Sequence, residues 1–267
     1  LFLAIKLYSQ KYDYYDNFDI SNGMSSNYVD CIFEDSRGNL WIGTWDGLNR
    51  FDGSNFTQYK SGYTDSTNSI TGNWIFSIFE DGENNLWICT NNGLSRYNYV
   101  YDRFDNITLF NSFAVKSIVQ TKDNYLWLST TDGLYKYDYK LNKILAHFSK
   151  SEKSNKLNTN ELGEIILDSK QNMWIATDND GLIYLNTKSN KQINYRLKSE
   201  NNSLPSNKIR CLSFDSDNRL WIGSIDNGIA ILDTVTDKIE YRKHDKNNNN
   251  SIGSNGVSDL FCDSKKN

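Results

Sequence analysis

Short apolar runs alternate with clusters of Asp, Asn, Ser and Gly along almost the whole chain. The first four runs are Val29 to Glu34, Leu40 to Thr44, Leu48 to Asp52 and Phe56 to Tyr59. Runs this short, rich in Val, Ile, Phe, Trp and Tyr, predict strands, and no stretch keeps a 3.6-residue period over helical length. The group of four recurs around a Trp, at Trp41, Trp87, Trp127, Trp174 and Trp221, whose numbers differ by 46, 40, 47 and 47. A period in the forties marks a supersecondary unit stacked repeatedly.

The polar punctuation is as regular as the apolar runs. Between the second and third runs stand Asp46-Gly47, Asn92-Gly93, Asp132-Gly133, Asp180-Gly181 and Asn227-Gly228. Such pairs tolerate the positive φ angles of tight hairpin turns. Between the first and second runs lies a turn opened by Asp35, Asp81, Asp168 or Asp215, with Thr121 in the third unit. Its fourth position is Gly38, Asn84, Asn124, Gln171 or Asn218, mostly residue types that accept a left-handed backbone. The Asp carboxylates at these turn starts are expected to bond backbone N–H groups rather than act as paired catalytic acids.

Four antiparallel strands per unit predict an all-β fold, a β-propeller of four-stranded blades. The blades fall at about 27–60, 73–106, 113–149, 160–197 and 207–243, with a sixth beginning at 255–267. A complete ring is expected to have seven blades, so five full blades and partial ones make an incomplete ring. Two residues after each Trp the side chain is small: Gly43, Cys89, Ser129, Ala176 and Gly223. A large indole beside a small neighbour lets the next sheet come close. Burying one indole removes roughly 150–250 Å² from water, worth about 4–6 kcal/mol at about 25 cal/mol/Å². The five Trp are therefore expected at the seams between blades, as packing rather than as stacking platforms.

A net charge of −4 and a pI near 5.3, with scattered Lys and Arg, give no electrostatic footprint for nucleic acid. No apolar run is long enough for a membrane helix. Cys31 and Cys211 share a repeat position in distant units, Cys89 takes the small-residue slot and Cys262 falls in the sixth unit, so unpaired thiols are expected. Residues 1–10 read as the C-terminal end of a signal peptide. Residues 11–16, with Tyr12 and Tyr14, match a fourth strand and are expected to close the last blade. His147 and His244 stand on or beside fourth strands, far from one another, which disfavours a His-based metal or acid–base site. The run from Asp215 to Arg219 lacks the later Gly and Glu of a calcium loop. No cofactor or metal is implied.

The run Val29-x-x-Ile32-Phe33-Glu34-Asp35-x-x-Gly38-Asn39-Leu40-Trp41-Ile42-Gly43-Thr44-x-x-Gly47-Leu48-x-Arg50-Phe51-Asp52 resembles the two-component regulator propeller repeat. So do Met24-Ser25-Ser26-Asn27, Leu204-Pro205-Ser206-Asn207 and Ile252-Gly253-Ser254-Asn255 between units. The resemblance spans residues 11–267 and recurs in register. It implies the periplasmic sensor region of a membrane-spanning, often hybrid, histidine kinase. Such receptors carry a further propeller and an Ig-like domain, act as homodimers, and reach the membrane only through later regions. Family members commonly respond to oligosaccharides and switch on genes for their breakdown; the segment itself is then not an enzyme. The competing class is a stand-alone exported propeller serving as a lyase, glycosidase or adhesion scaffold.

A ligand is expected on the loop face carrying the inter-blade loops and the second-to-third strand turns, where residues diverge on a constant scaffold. The candidates are Tyr28, Trp45, Trp74, Asn91, Thr131, Asp178, Asn179 and Asp226. The aromatics suit stacking on sugar rings, and the Asp and Asn side chains suit bonds to hydroxyls. The alternative for this face is contact with neighbouring loops or with a second propeller.

Overall fold

The computed structural model describes residues 17–62, 69–199 and 202–263. The proposed leader end at 1–10 and the closing strand at 11–16 lie outside the described residues. Five four-stranded antiparallel sheets follow one another along the chain. Blade 1 comprises β1 (Val29–Glu34), β2 (Leu40–Thr44), β3 (Gly47–Phe51) and β4 (Phe56–Tyr59). Blade 2 has β5 (Ile75–Glu80), β6 (Leu86–Thr90), β7 (Gly93–Asn98) and β8 (Arg103–Ile107). Blade 3 has β9 (Val115–Gln120), β10 (Leu126–Thr130), β11 (Gly133–Asp138) and β12 (Lys143–Phe148). Blade 4 has β13 (Leu162–Leu167), β14 (Met173–Thr177), β15 (Leu182–Leu185) and β16 (Gln192–Tyr195). Blade 5 has β17 (Ile209–Phe214), β18 (Arg219–Ser224), β19 (Ile229–Asp233) and β20 (Lys238–Arg242).

Within each blade the strands are ordered as they occur, and the first strands pack against one another from β1 through β5, β9 and β13 to β17. The first strand is therefore innermost and the fourth outermost, as in a propeller. Past blade 5, the Val257 N–H donates to Ser224 O at 2.9 Å, and Ser258 and Asp259 line the same cavity as the first strands, with no strand formed over 256–263.

The repeated Trp forms the seams. Trp41 packs in one cluster with Ile75 and Ile78 of blade 2, Trp87 with Val115 and Ile118 of blade 3, Trp127 with Leu162 and Ile165 of blade 4, and Trp174 with Ile209 and Leu212 of blade 5. These four rings are buried, and Trp221 is half-buried beside an open cavity lined by Leu260 and Phe261. The small-residue slot has a steric reason. A Cβ on Gly43 would meet Cys31 Sγ at 2.5 Å and Ile75 Cγ2 of the next blade at 2.8 Å. Across the strand pair the slot is filled as Cys31 with Gly43, Ser77 with Cys89, Ser117 with Ser129 and Cys211 with Gly223. Small faces small in these four blades, so the next sheet meets a shallow surface there.

Asp35, Asp81 and Asp215 accept the indole N–H six residues on at 2.7, 2.9 and 2.9 Å. Each also accepts backbone N–H groups two and four residues on. Burial opposes ionisation of Asp35, but the donors from Trp41 and Asn39 outweigh it and hold the carboxyl below its ordinary range. Blade 3 lacks this carboxylate: Thr121 bonds Asp123 and Tyr125 O instead. The fourth turn position is left-handed in every blade, with φ of 81°, 61°, 63°, 69° and 58° at Gly38, Asn84, Asn124, Gln171 and Asn218.

The hairpin turns differ from the expectation of two positive φ angles. Only the glycine is left-handed, while the preceding Asp or Asn is not among the positive-φ residues. At Gly181 the demand is doubled, because a Cβ would also meet Tyr195 O of the outer strand at 2.2 Å. The turn is held instead by the hydroxyl that ends the second strand. Thr44 Oγ1 donates to Gly47 O at 2.8 Å and accepts from Asp46 N at 3.1 Å, an arrangement repeated at Thr90, Thr130, Thr177 and Ser224.

Candidate functional site

Each innermost strand carries a β-bulge near its start. Val29 pairs with Thr44 and Cys31 with Gly43, which leaves Asp30 as the extra residue. The same step leaves Phe76 on β5, Lys116 on β9 and Arg210 on β17, and on β13 it falls at Gly163–Glu164. A bulge breaks the two-residue alternation and re-aims a side chain. Here the extra residues all line one central cavity of about 500 Å³, together with Glu164, Ser258 and Asp259. Cys31 and Cys211 line it as well. Equivalence on inner strands thus brings these thiols to one channel, a correction to their expected separation. Both are unbonded, and burial lifts each thiol to about 12.

Above the bulges lies a rim built by one repeated backbone bond. The residue after each second strand donates its N–H to the residue leading into the first strand. The bonds run from Trp45 to Tyr28 O at 3.1 Å, Asn91 to Trp74 O at 3.0 Å and Thr131 to Ala114 O at 3.1 Å. They continue from Asp178 to Glu161 O at 3.3 Å and Ile225 to Lys208 O at 3.1 Å. The candidates Tyr28, Trp45, Trp74, Asn91, Thr131 and Asp178 therefore take part in equivalent bonds around one rim, whereas Asn179 and Asp226 each stand one residue beyond it.

On blades 1 and 2 the rim is aromatic. Tyr28 stacks on Trp45 at 5.0 Å and 20°, Trp45 lies 5.3 Å from Trp74, and Trp74 lies 4.8 Å from Phe76. Exposure falls down this ladder from 66% at Tyr28 to 51% at Trp45 and 37% at Trp74, so the rings descend into the cavity. The Trp74 indole N–H bonds Asp30, which also faces Arg210 at 3.8 Å. The Lys116 ammonium sits 3.8 Å over the Phe76 ring and 5.7 Å from Trp74. Burial lowers the Lys116 pKa, the Asp178 charge opposes that fall and Arg210 adds to it. On blade 4 Glu161 and Asp178 make the rim acidic. Just below, Glu164 accepts the Leu212 N–H at 2.7 Å. Burial pushes its carboxyl up to about 7, against the pull of that bond and with the help of Asp259.

Residues 23–46, 69–92 and 203–226 match the family described as two-component regulator propeller. These three stretches, each running from an inter-blade loop to the second-to-third strand turn, are similar to two-component regulator propeller repeats. The solved extracellular domain assigned to a hybrid two-component system of B. thetaiotaomicron is 26% identical, with a TM-score of 0.61 over 94% of this chain and 39% of that one. A histidine kinase of Formosa agariphila is 43% identical over 67 residues, 25% of this chain and 5% of its own length. Virginiamycin B lyase of Staphylococcus aureus, 16% identical with a TM-score of 0.61, covers 80% of this chain and 69% of its own and shows the fold alone. The chain thus spans about four tenths of that solved extracellular domain, and its match a twentieth of the kinase.

Within the propeller, the candidate residues divide. Trp74 and Asp178 line the channel, and Tyr28 and Trp45 extend the ladder outward. Asn91 is tied to the Trp74 backbone in both directions, and Thr131 is tied likewise to Ala114. Asn179 is exposed in the longer turn of blade 4, and Asp226 pairs with Lys208 at 3.6 Å. Phe76, Lys116, Glu164 and Arg210 were missed. Their signal was present: the apolar pairs Val29 and Ile32, Ile75 and Ile78, Val115 and Ile118, Leu162 and Ile165, and Ile209 and Leu212 are spaced by three. Two residues three apart share a strand face only across a bulge. His147 is stacked on Tyr135 at 4.1 Å, and His244 faces Ile252 O at 2.8 Å. Neither lines the channel.

Proposed function

We propose that this propeller is a ligand-receiving part of the extracytoplasmic sensor region of a two-component histidine kinase, and that it takes an oligosaccharide at the channel mouth. The single observation carrying this reading is the ladder Tyr28–Trp45–Trp74, three partly exposed rings in contact at the rim of a cavity. Sugar rings present flat C–H faces that stack on such rings, while Asp178 and Glu161 across the mouth offer acceptors for hydroxyls. The cavity of about 500 Å³ lies within the size range usual for a small-ligand site. Likeness to an extracellular domain of a hybrid two-component system supports the placing outside the cytoplasm. No described helix is long and apolar enough to cross a membrane.

In the whole receptor the occupied propeller passes its state, through a further propeller and an Ig-like domain of the same chain, to a dimeric kinase that controls transcription. The segment itself is then non-enzymatic. The test is a screen of neutral and acidic oligosaccharides by tryptophan fluorescence, followed by titration calorimetry. Trp45→Ala and Trp74→Ala are expected to cost about 1–2 kcal/mol of binding, roughly five- to thirty-fold in affinity. Unchanged affinity in both variants sinks the rim as the binding face.

A further inference from the structure

The ladder does not end at the rim. Its next ring, Phe76, is the bulge residue of β5 and lies within the channel wall, 4.8 Å from Trp74. A ligand lying flat across the mouth has no use for a ring at that depth. The four rings touch in sequence, at 5.0, 5.3 and 4.8 Å, while exposure falls from Tyr28 to Trp74, so the run of contacts leads from the rim inward to the cavity wall. At its foot the Lys116 ammonium rests on Phe76, and its described contacts are to rings rather than to a carboxylate. Its N–H groups are therefore available to an incoming oxygen.

The charge around this foot selects the guest. Asp30, Asp178 and Asp259 line the cavity against Lys116 and Arg210, with Glu164 ionising as pH rises through about 7. The wall is thus acidic on balance and repels a carboxylate or sulfate. It also mixes donors with acceptors, which suits hydroxyls, since each hydroxyl both donates and accepts.

Resting on the saccharide reading above, we infer that the channel takes the end of an uncharged oligosaccharide, its terminal ring reaching Phe76 and Lys116 while the preceding rings lie on Trp74, Trp45 and Tyr28. The site then reads a chain terminus rather than an internal stretch, and neutral sugars rather than uronates.

The experiment compares linear neutral di- to hexasaccharides, cyclic neutral oligosaccharides and oligouronates on the wild-type chain and on Phe76→Ala, Lys116→Met and Tyr28→Ala, each checked for an unchanged melting profile. Linear neutral chains are expected to bind, cyclic and uronate chains to bind at least tenfold more weakly. Phe76→Ala and Lys116→Met should weaken every length by at least fivefold, whereas Tyr28→Ala should weaken only the longer chains. Wild-type affinity in both the Phe76 and Lys116 variants, with Trp74→Ala still impaired, overturns end-on insertion and leaves the rim as the site. Uronates binding as well as neutral chains overturns the charge selection. Binding of no saccharide at all overturns the inference together with the reading beneath it. Should Phe76→Ala unfold, Phe76→Leu keeps the volume while removing the ring face, and the same comparison applies.

Discussion

Glu164 shows how one position can serve packing in four blades and electrostatics in another. Its equivalents are Cys31, Ser77, Ser117 and Cys211, small groups that fit the shallow slot. A carboxyl there is half-buried and titrates near 7 instead of 4.5, first because burial disfavours the charge. The folded protein therefore holds this proton more tightly than the unfolded chain does. Stability from this group is fully present below about pH 4.5 and is lost as pH rises toward and through about 7. The shift corresponds to at most about 3 kcal/mol, less whatever water entering the channel recovers. Urea unfolding at pH 5 and pH 8 should show a loss of about 2–3 kcal/mol attributable to this site, and Glu164→Gln should flatten that part of the profile. A wild-type profile unchanged by the substitution would place Glu164 in free contact with water.

At the scale of the strand and turn, what could be read from the sequence was whatever repeats with fixed residue types. Blade limits, the left-handed fourth turn position and the Asp at the turn start all follow from local backbone demands that only certain side chains meet. The bulged residues escaped because the channel imposes no common chemistry: Asp30, Phe76, Lys116 and Arg210 share a position but no property. Only the three-residue apolar spacing betrays the bulge, and alternation was assumed in its place. Equal-looking turns also differ in energy. Asp81 holds the Trp87 indole at 2.9 Å, whereas Asp168 keeps its bonds to Lys170 N and Asn172 N while the Trp174 indole N–H has no partner among the described residues. Asp81→Ala leaves a buried indole N–H unpaired as well as breaking the turn, so it should cost about 2–4 kcal/mol. Asp168→Ala loses the turn bonds alone and should cost about 1 kcal/mol less than Asp81→Ala, or lower still. Equal losses in denaturant titrations would show that the indole bond adds nothing to the turn.

For the molecule as a whole, stability is carried by seams with a direction. In the four seams between blades 1 and 5 the Trp of one blade meets the three-spaced apolar pair of the following blade, so the seams run with a donor face forward and a receiving face backward. Ile78, Ile118, Ile165 and Leu212 receive such a Trp and are buried, at 7%, 4%, 2% and 3% exposure. Ile32 holds the same position in blade 1 and is 63% exposed among the described residues, with Val29 beside it at 41%. Stability in stacked repeats is approximately a sum of unit and nearest-neighbour terms, so identical substitutions at identical repeat positions should differ by the seam alone. Ile78→Ala removes buried methyl groups from the Trp41 seam and should cost about 2–5 kcal/mol. Ile32→Ala deletes the same atoms from an exposed surface and should fall within about 0.5 kcal/mol of the parent chain. Chemical denaturation of the two variants separates the outcomes directly. If Ile32→Ala costs as much as Ile78→Ala, the receiving face of blade 1 is covered in solution, and the forward-to-backward polarity of the seams closes around the axis instead of stopping there.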